Sequence, residues 1–499
     1  MSPSPAYDAL VAHHRRVHDL EHLQAIASWD RMTHMPPAGG PARAAAQAAL
    51  AVLIKQLQAD PTLAQQFEAA AQESLQGDAA LNFARMRQAR RIEAAIPAAL
   101  AERRELATGA AMQAWGRARQ DNNWDTFADA WAPVVAVTRE SAARLGEALG
   151  LQPMDALLER WEPGLRIARV NALFAQVQGW LPPLLEQALN AQANSPPPLE
   201  PVGPFPASAQ QRLCEQVMAL LGFDFDAGRL DTTQHPFTGG VPEDVRMATR
   251  FDESNFLPAL MGTIHETGHS RYQQNLPRAW LGQPLAGPHS AALHEGQALI
   301  FERQLAPEPA FCQLLSPLLH QAFGSQPAFE PGNLARLMQR IRPGPIRVAA
   351  DELTYPLHVI VRVEIEQALV AGEIAVGDVP AWWHERMQAS LGVGPQAAFS
   401  QGPLQDPHWV HGMFGYFPAY LLGAMVAAQC FAALRREVPD LQTQVAGGNC
   451  RPIGDWLAPR IWQQGARHDL DAMLMQATGE PLSANALRAQ LEQRHGRIR

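Results

Sequence analysis

Phe256-Leu257-Pro258-Ala259-Leu260-Met261-Gly262-Thr263-Ile264-His265-Glu266-Thr267-Gly268-His269 is the stretch on which the reading of this chain turns. The run before His265 is apolar and no proline follows until Pro277, so the pattern predicts a helix that continues through both histidines. On a helix, residues four apart stack on one face, which places His265 above His269 with Glu266 one step round.

Two imidazoles at that spacing can hold one Zn²⁺ from a single helix, and the glutamate is aimed at the water in the open coordination position, the HExxH arrangement of metallopeptidases. A catalytic zinc site needs a third protein ligand. His294-Glu295 follows about thirty residues after His265 and opens an apolar-periodic stretch, Ala298-Leu299-Ile300-Phe301. A second helix packed on the first would let Glu295 complete a His₂Glu set. Core histidines and a solvated helix-start acid are the plainer reading, but the spacing and the second acidic helix together favour the metal.

At 499 residues and 47% hydrophobic content the chain can bury a large core. Ala, Leu, Gln, Glu and Arg dominate throughout without a shift in composition, so we expect one mainly α body over 1–499, with N-terminal helices in 1–200 able to act as a lid and the zinc site and groove in 207–499. The net charge of −9 argues against a nucleic-acid partner, and the basic runs His14-Arg15-Arg16 and Arg87 to Arg91 read as solvated helix faces. Met1 to Leu20 contains no apolar signal core, and the four scattered cysteines read as reduced thiols, so a cytoplasmic protein is expected. Tyr416 to Leu434 carries no charge but is interrupted by Pro418, Gly423 and Gln429. It reads as a buried core helix, with a membrane span as the alternative.

Periodicity predicts helices over Ala6–Trp29 and Gly40–Leu57, joined by a Met35-Pro36-Pro37 turn, and further helix over Ala79–Gln120, Asp125–Leu149 and Arg166–Ala193. Ser195 to Pro206 is Pro-rich and reads as a loop. Gly239, Gly240 and Pro242 mark a turn and Val245 to Phe251 alternates, which predicts a small sheet beside the zinc helix.

Three downstream clusters carry polar chemistry. His235-Pro236-Phe237 supplies either a hydrogen-bond donor to a cleft or a turn with an aromatic anchor. Arg347, within Ile346-Arg347-Val348-Ala349-Ala350-Asp351, lies in an apolar setting that calls for a carboxylate, either Asp351 or the terminal carboxylate of a substrate. Gly402-Pro403-Leu404-Gln405-Asp406-Pro407-His408-Trp409 has the composition of a binding loop, and His411, Tyr416 and Tyr420 follow closely in a chain with only five tyrosines.

These motifs, in this order, resemble the thermostable carboxypeptidase family of the Taq type: HPF at His235–Phe237, DxRxT at Asp244–Ala248, HExxH, HES-Q at His294–Gln297, IRxxAD at Ile346–Asp351 and GxxQDxHW at Gly402–Trp409. Ser28-Trp29-Asp30 with Met35-Pro36, and Thr478 to Leu482, extend the resemblance over nearly the whole chain. It implies a helical body with a deep groove, a homodimer, one divalent metal (zinc, with cobalt or manganese as alternatives) and removal of C-terminal residues from peptides with broad specificity. His265, His269 and Glu295 would be the ligands and Glu266 the general base. Arg347 would hold the substrate carboxylate, and His235, His408 and one of Tyr416 or Tyr420 would donate hydrogen bonds in the cleft.

The chain departs from the family at Ala248 for Thr, Gly296 for Ser and Phe301 for Trp, which predicts weakened support behind the ligands. An oligopeptidase using the same groove and a silent zinc-stabilised peptide binder are the rival readings.

Overall fold

The computed structural model describes residues 4–233, 237–395 and 398–496, in which twenty α-helices are interrupted once by a three-stranded sheet. Helices Pro5–Thr33 and Gly40–Gln58 form on the expected segments, separated by Pro36 and a short 3-10 turn. The long pattern from Ala79 to Gln120 is two helices, Gly77–Ala94 and Ala98–Asp121. Pro97 causes the break, since its ring excludes the preceding residue from helical geometry and it has no N–H to continue the ladder. Helices Trp124–Leu149 and Ile167–Ala193 follow as expected, the first capped by the Asn123 side chain on the Thr126 amide.

The sheet has the order β1 (Gly228–Thr232), β3 (Asp244–Thr249), β2 (Phe237–Val241), with β1 parallel and β2 antiparallel to β3. Gly239 and Gly240 lie within β2 and not in the turn, which falls at Pro242-Glu243. Gly240 has φ +125°, and a Cβ there would lie 2.0 Å from the Asp244 carbonyl oxygen, so the residue is a closely paired strand end that reads as a turn glycine in sequence. The sheet packs beside the motif helix Leu257–Gln274, whose Gln273 amide donates to the Gly240 carbonyl at 3.0 Å.

One large core runs from Leu100 to Leu491, and a smaller cluster of Leu10, Leu63, Ala70, Phe83 and Met86 serves the N-terminal helices. Helix Pro418–Glu437 lies within the large core. It is long and apolar enough to cross a membrane, yet 78% of its apolar window is buried in the fold, as a core helix requires. It packs along helix Ala291–Leu299, the element that carries Glu295.

Candidate metal centre

The motif helix presents His265 and His269 with their Nε2 atoms 3.2 Å apart, and Glu295 Oε2 lies 3.6 Å from His269 Nε2 and 4.0 Å from His265 Nε2. An ion bound tetrahedrally at about 2.0–2.2 Å from each donor would hold donors roughly 3.3–3.6 Å apart, so the three donors lie within a few tenths of an ångström of the spacing a divalent cation needs. Among the described residues these three form the one group with metal-ligand geometry. Glu295 is buried, and burial pushes its carboxyl up, an unfavourable state that a cation would relieve.

A residue outside the sequence reading fixes the first imidazole. Glu302 takes the Nδ1–H of His265 at 2.7 Å, which leaves Nε2 for the centre. Arg303 backs Glu302 at 2.9 Å. Burial would raise Glu302, but Arg303 and His265 outweigh it and hold the carboxyl at about 2. Burial would lower His265, but Glu295 and Glu302 outweigh it and favour positive charge at this imidazole. His269 is lowered by burial, with His294 and His265 adding to the effect, and the His294 ring stacks on it at 4.5 Å. Glu302 was legible in part: it lies seven residues beyond Glu295, two turns along the same face. The π-helical segment Ile300–Leu305 that re-aims this face carries no sequence signal.

Glu266 is partly exposed beside the ligands. Arg347, on a short 3-10 turn, is buried, and its carboxylate partner is Asp406 rather than Asp351. Its Nε and Nη2 both donate to Asp406 Oδ1, at 3.0 and 2.9 Å, while Arg362 Nε donates to Oδ2 at 2.6 Å. Asp351 is occupied elsewhere, accepting from the Arg342, Leu353 and Thr354 amides and the Thr354 hydroxyl ahead of helix Tyr355–Ala371. Two guanidinium groups thus share one carboxylate, which leaves a net positive site. Its charge reaches Glu295, whose carboxyl Arg347 acts to lower.

The binding loop delivers His408, whose Nε2 lies 2.7 Å from the Tyr420 hydroxyl. Burial, helped by the Arg347 charge, pushes His408 down to about 3, so its ring is neutral. The Tyr420 ring lies under the Arg347 guanidinium at 4.5 Å. The Tyr416 hydroxyl has no hydrogen-bond partner among the described residues, and burial raises it to about 12. His411 is exposed, and His235 lies outside the described residues.

The departures from the family are matters of packing. A Cβ on Gly296 would lie 2.6 Å from Val426 Cγ1, and one on Gly423 would lie 2.8 Å from Glu295 Cγ. Gly296 thus lets helix Pro418–Glu437 approach closely behind Glu295. Phe301 and Ala248 are core residues.

A helical body with a His₂Glu group at metal-ligand spacing defines a metallopeptidase. The chain belongs to the Carboxypeptidase Taq (M32) metallopeptidase family, whose model matches residues 9–495. It is 35% identical to thermostable carboxypeptidase 1 of Thermus thermophilus over the full length of both chains, and 36% identical to carboxypeptidase 1 of Bacillus subtilis over 75% of this chain and 74% of that one. The solved structure of Trypanosoma cruzi metallocarboxypeptidase 1 superposes with a TM-score of 0.96 at 39% identity, covering 99% of this chain and 100% of that one.

Proposed function

We propose that the protein is a metal-dependent carboxypeptidase that hydrolyses the last peptide bond of peptides with broad specificity. The observation that carries this reading is the net positive Arg347–Asp406–Arg362 group within electrostatic reach of the metal-ligand carboxylate. A substrate's terminal carboxylate would balance that charge. Arg347 Nη1 and Arg362 Nη2 make no hydrogen bond among the described residues, and since Arg362 is wholly buried, Arg347 Nη1 is the donor offered to it.

His265, His269 and Glu295 would hold the ion, which the donor set suits as zinc, with cobalt or manganese as alternatives. When bound, the ion supplies Lewis acidity at the scissile carbonyl and lowers the pKa of water towards about 7. Glu266 takes the proton of the attacking water and passes it to the leaving amine. His408 is neutral and engages Tyr420, whose hydroxyl is thereby committed. Tyr416, with its hydroxyl uncommitted and still protonated at neutral pH, is the donor to the carbonyl oxygen as charge develops. The same reading takes the protein as a homodimer of the cytoplasm, and the four buried free thiols support a reducing compartment.

Mass spectrometry of an unblocked peptide, beside its C-terminally amidated form and a chelated control, tests the proposal. Stepwise shortening from the C-terminus in the unblocked, metal-loaded sample alone is expected. Internal cuts in both peptides would establish the oligopeptidase instead. Glu266→Gln is expected to keep its metal and lose turnover, whereas a silent binder would be unchanged.

A further inference from the structure

The peptide unit between Phe414 and Gly415, immediately before Tyr416, is held at both edges. Its carbonyl oxygen accepts from the Trp161 indole at 3.0 Å, and its N–H donates to the Glu366 carboxylate at 3.1 Å. Glu366 is fully buried, and its other oxygen accepts from the Trp409 indole at 2.9 Å, next to His408. Among the described residues it has no cationic partner; burial pushes it up to about 8, against the lowering effect of the Gly415 and Trp409 donors.

Trp161 also reaches the metal side. Its ring meets the Tyr416 ring edge-on at 4.9 Å, and its carbonyl accepts from the Ala291 amide at 2.9 Å. The next residue, Glu162, is buried and accepts from the Ser290 hydroxyl and the Ala292 amide. These groups form the first turn of the helix that carries Glu295. Ser290 takes the Leu293 amide, and the Glu162 carboxyl and the Trp161 carbonyl take the Ala292 and Ala291 amides that remain, so Trp161-Glu162 is bonded directly to the start of the ligand helix.

We propose that Trp161 and Glu366 are positioning residues that fix Tyr416 relative to Glu295, with Trp161-Glu162 bridging the tyrosine segment and the ligand helix. The inference rests on the reading of Tyr416 as the donor to the substrate carbonyl. A positioning role of this kind acts through Tyr416 alone, so its effect should vanish when the tyrosine hydroxyl is gone.

A double-mutant cycle on the metal-loaded protein tests this. Tyr416→Phe is expected to lower kcat by about 100-fold. Trp161→Phe keeps an aromatic ring and removes the indole N–H. Glu366→Gln sets an amide N–H against one of the two donors. Each is expected to lower kcat by about 10-fold, with KM and bound zinc unchanged, and to cost less than about 2-fold in the Tyr416→Phe background. If Trp161→Phe costs as much with Tyr416 as without it, the positioning role is overturned while the tyrosine stands. Full activity of Tyr416→Phe overturns the assignment of the donor and the positioning role with it. Should Glu366→Gln fail to fold, Trp161→Phe completes the cycle by itself.

Discussion

Glu302 accepts the Nδ1–H of His265 at 2.7 Å from the π-helical segment that directly follows the Glu295 helix, so one continuous stretch supplies both the carboxylate of the candidate metal group and the carboxylate that orients the opposing histidine. Partners of this kind typically tune metal affinity or activity by about 10–100-fold. Glu302→Gln keeps an acceptor for the N–H but removes the charge. It is expected to weaken zinc binding by about 10-fold or more in a chelator competition, with activity largely recovered at saturating metal. Unchanged affinity would show that His265 needs no such partner.

Arg347→Met is expected to abolish the preference for free-acid over amidated peptides, and to lower kcat/KM on the free acid by about 30–100-fold, the worth of a charge-assisted pair. The fold should survive, because Arg362 still neutralises Asp406. Asp406→Asn is the opposite case. It leaves two buried guanidinium groups without a counter-charge and should cost about 3–5 kcal/mol, read from the urea midpoint.

Restoring the family's serine at Gly296 should destabilise this chain. The new Cβ would press on Val426 Cγ1 at 2.6 Å and Val426 Cβ at 2.9 Å, and a β-branched side chain in a helix has little room to turn aside. Overpacking of this sort costs about 1–3 kcal/mol. Gly296→Ser combined with Val426→Ala, which removes the Cγ1 clash and leaves the Cβ one, should recover part of that loss in urea denaturation, and additive losses would show that the contact is not the cause.

The C-terminal helix Asn485–His495 closes on the centre through Glu352, which receives Arg494 at 2.6 Å and His495 at 2.6 Å. Burial would raise Glu352, but Arg494, His495 and Arg303 outweigh it and hold the carboxyl at about 2. Because the folded value lies below the ordinary 4.5, the stabilisation is fully present above about pH 4.5 and is lost as pH falls towards 2. Glu352→Gln should therefore be less stable than the parent by roughly 3 kcal/mol at pH 7, and the gap in urea midpoints should close below pH 4.5. A gap that stays constant with pH would mean that packing, not charge, holds the helix.

The helices, the two histidines on one face and the arrival of Glu295 on a second helix are written in local spacing, because a 3.6-residue period decides which side chains share a face whatever surrounds them. The run of motifs along the chain likewise identified the family from sequence alone. Tertiary packing decided what local spacing cannot encode. Arg347 passed over Asp351, four residues away, for Asp406 at a separation of 59, because Asp351 was consumed by the turn before its own helix. The Trp161 indole found the Phe414 carbonyl across 253 residues, and the Tyr420 hydroxyl found His408, neither of which local spacing announces. Buried polar groups must find partners wherever the closed core brings them, and the core closes only in three dimensions.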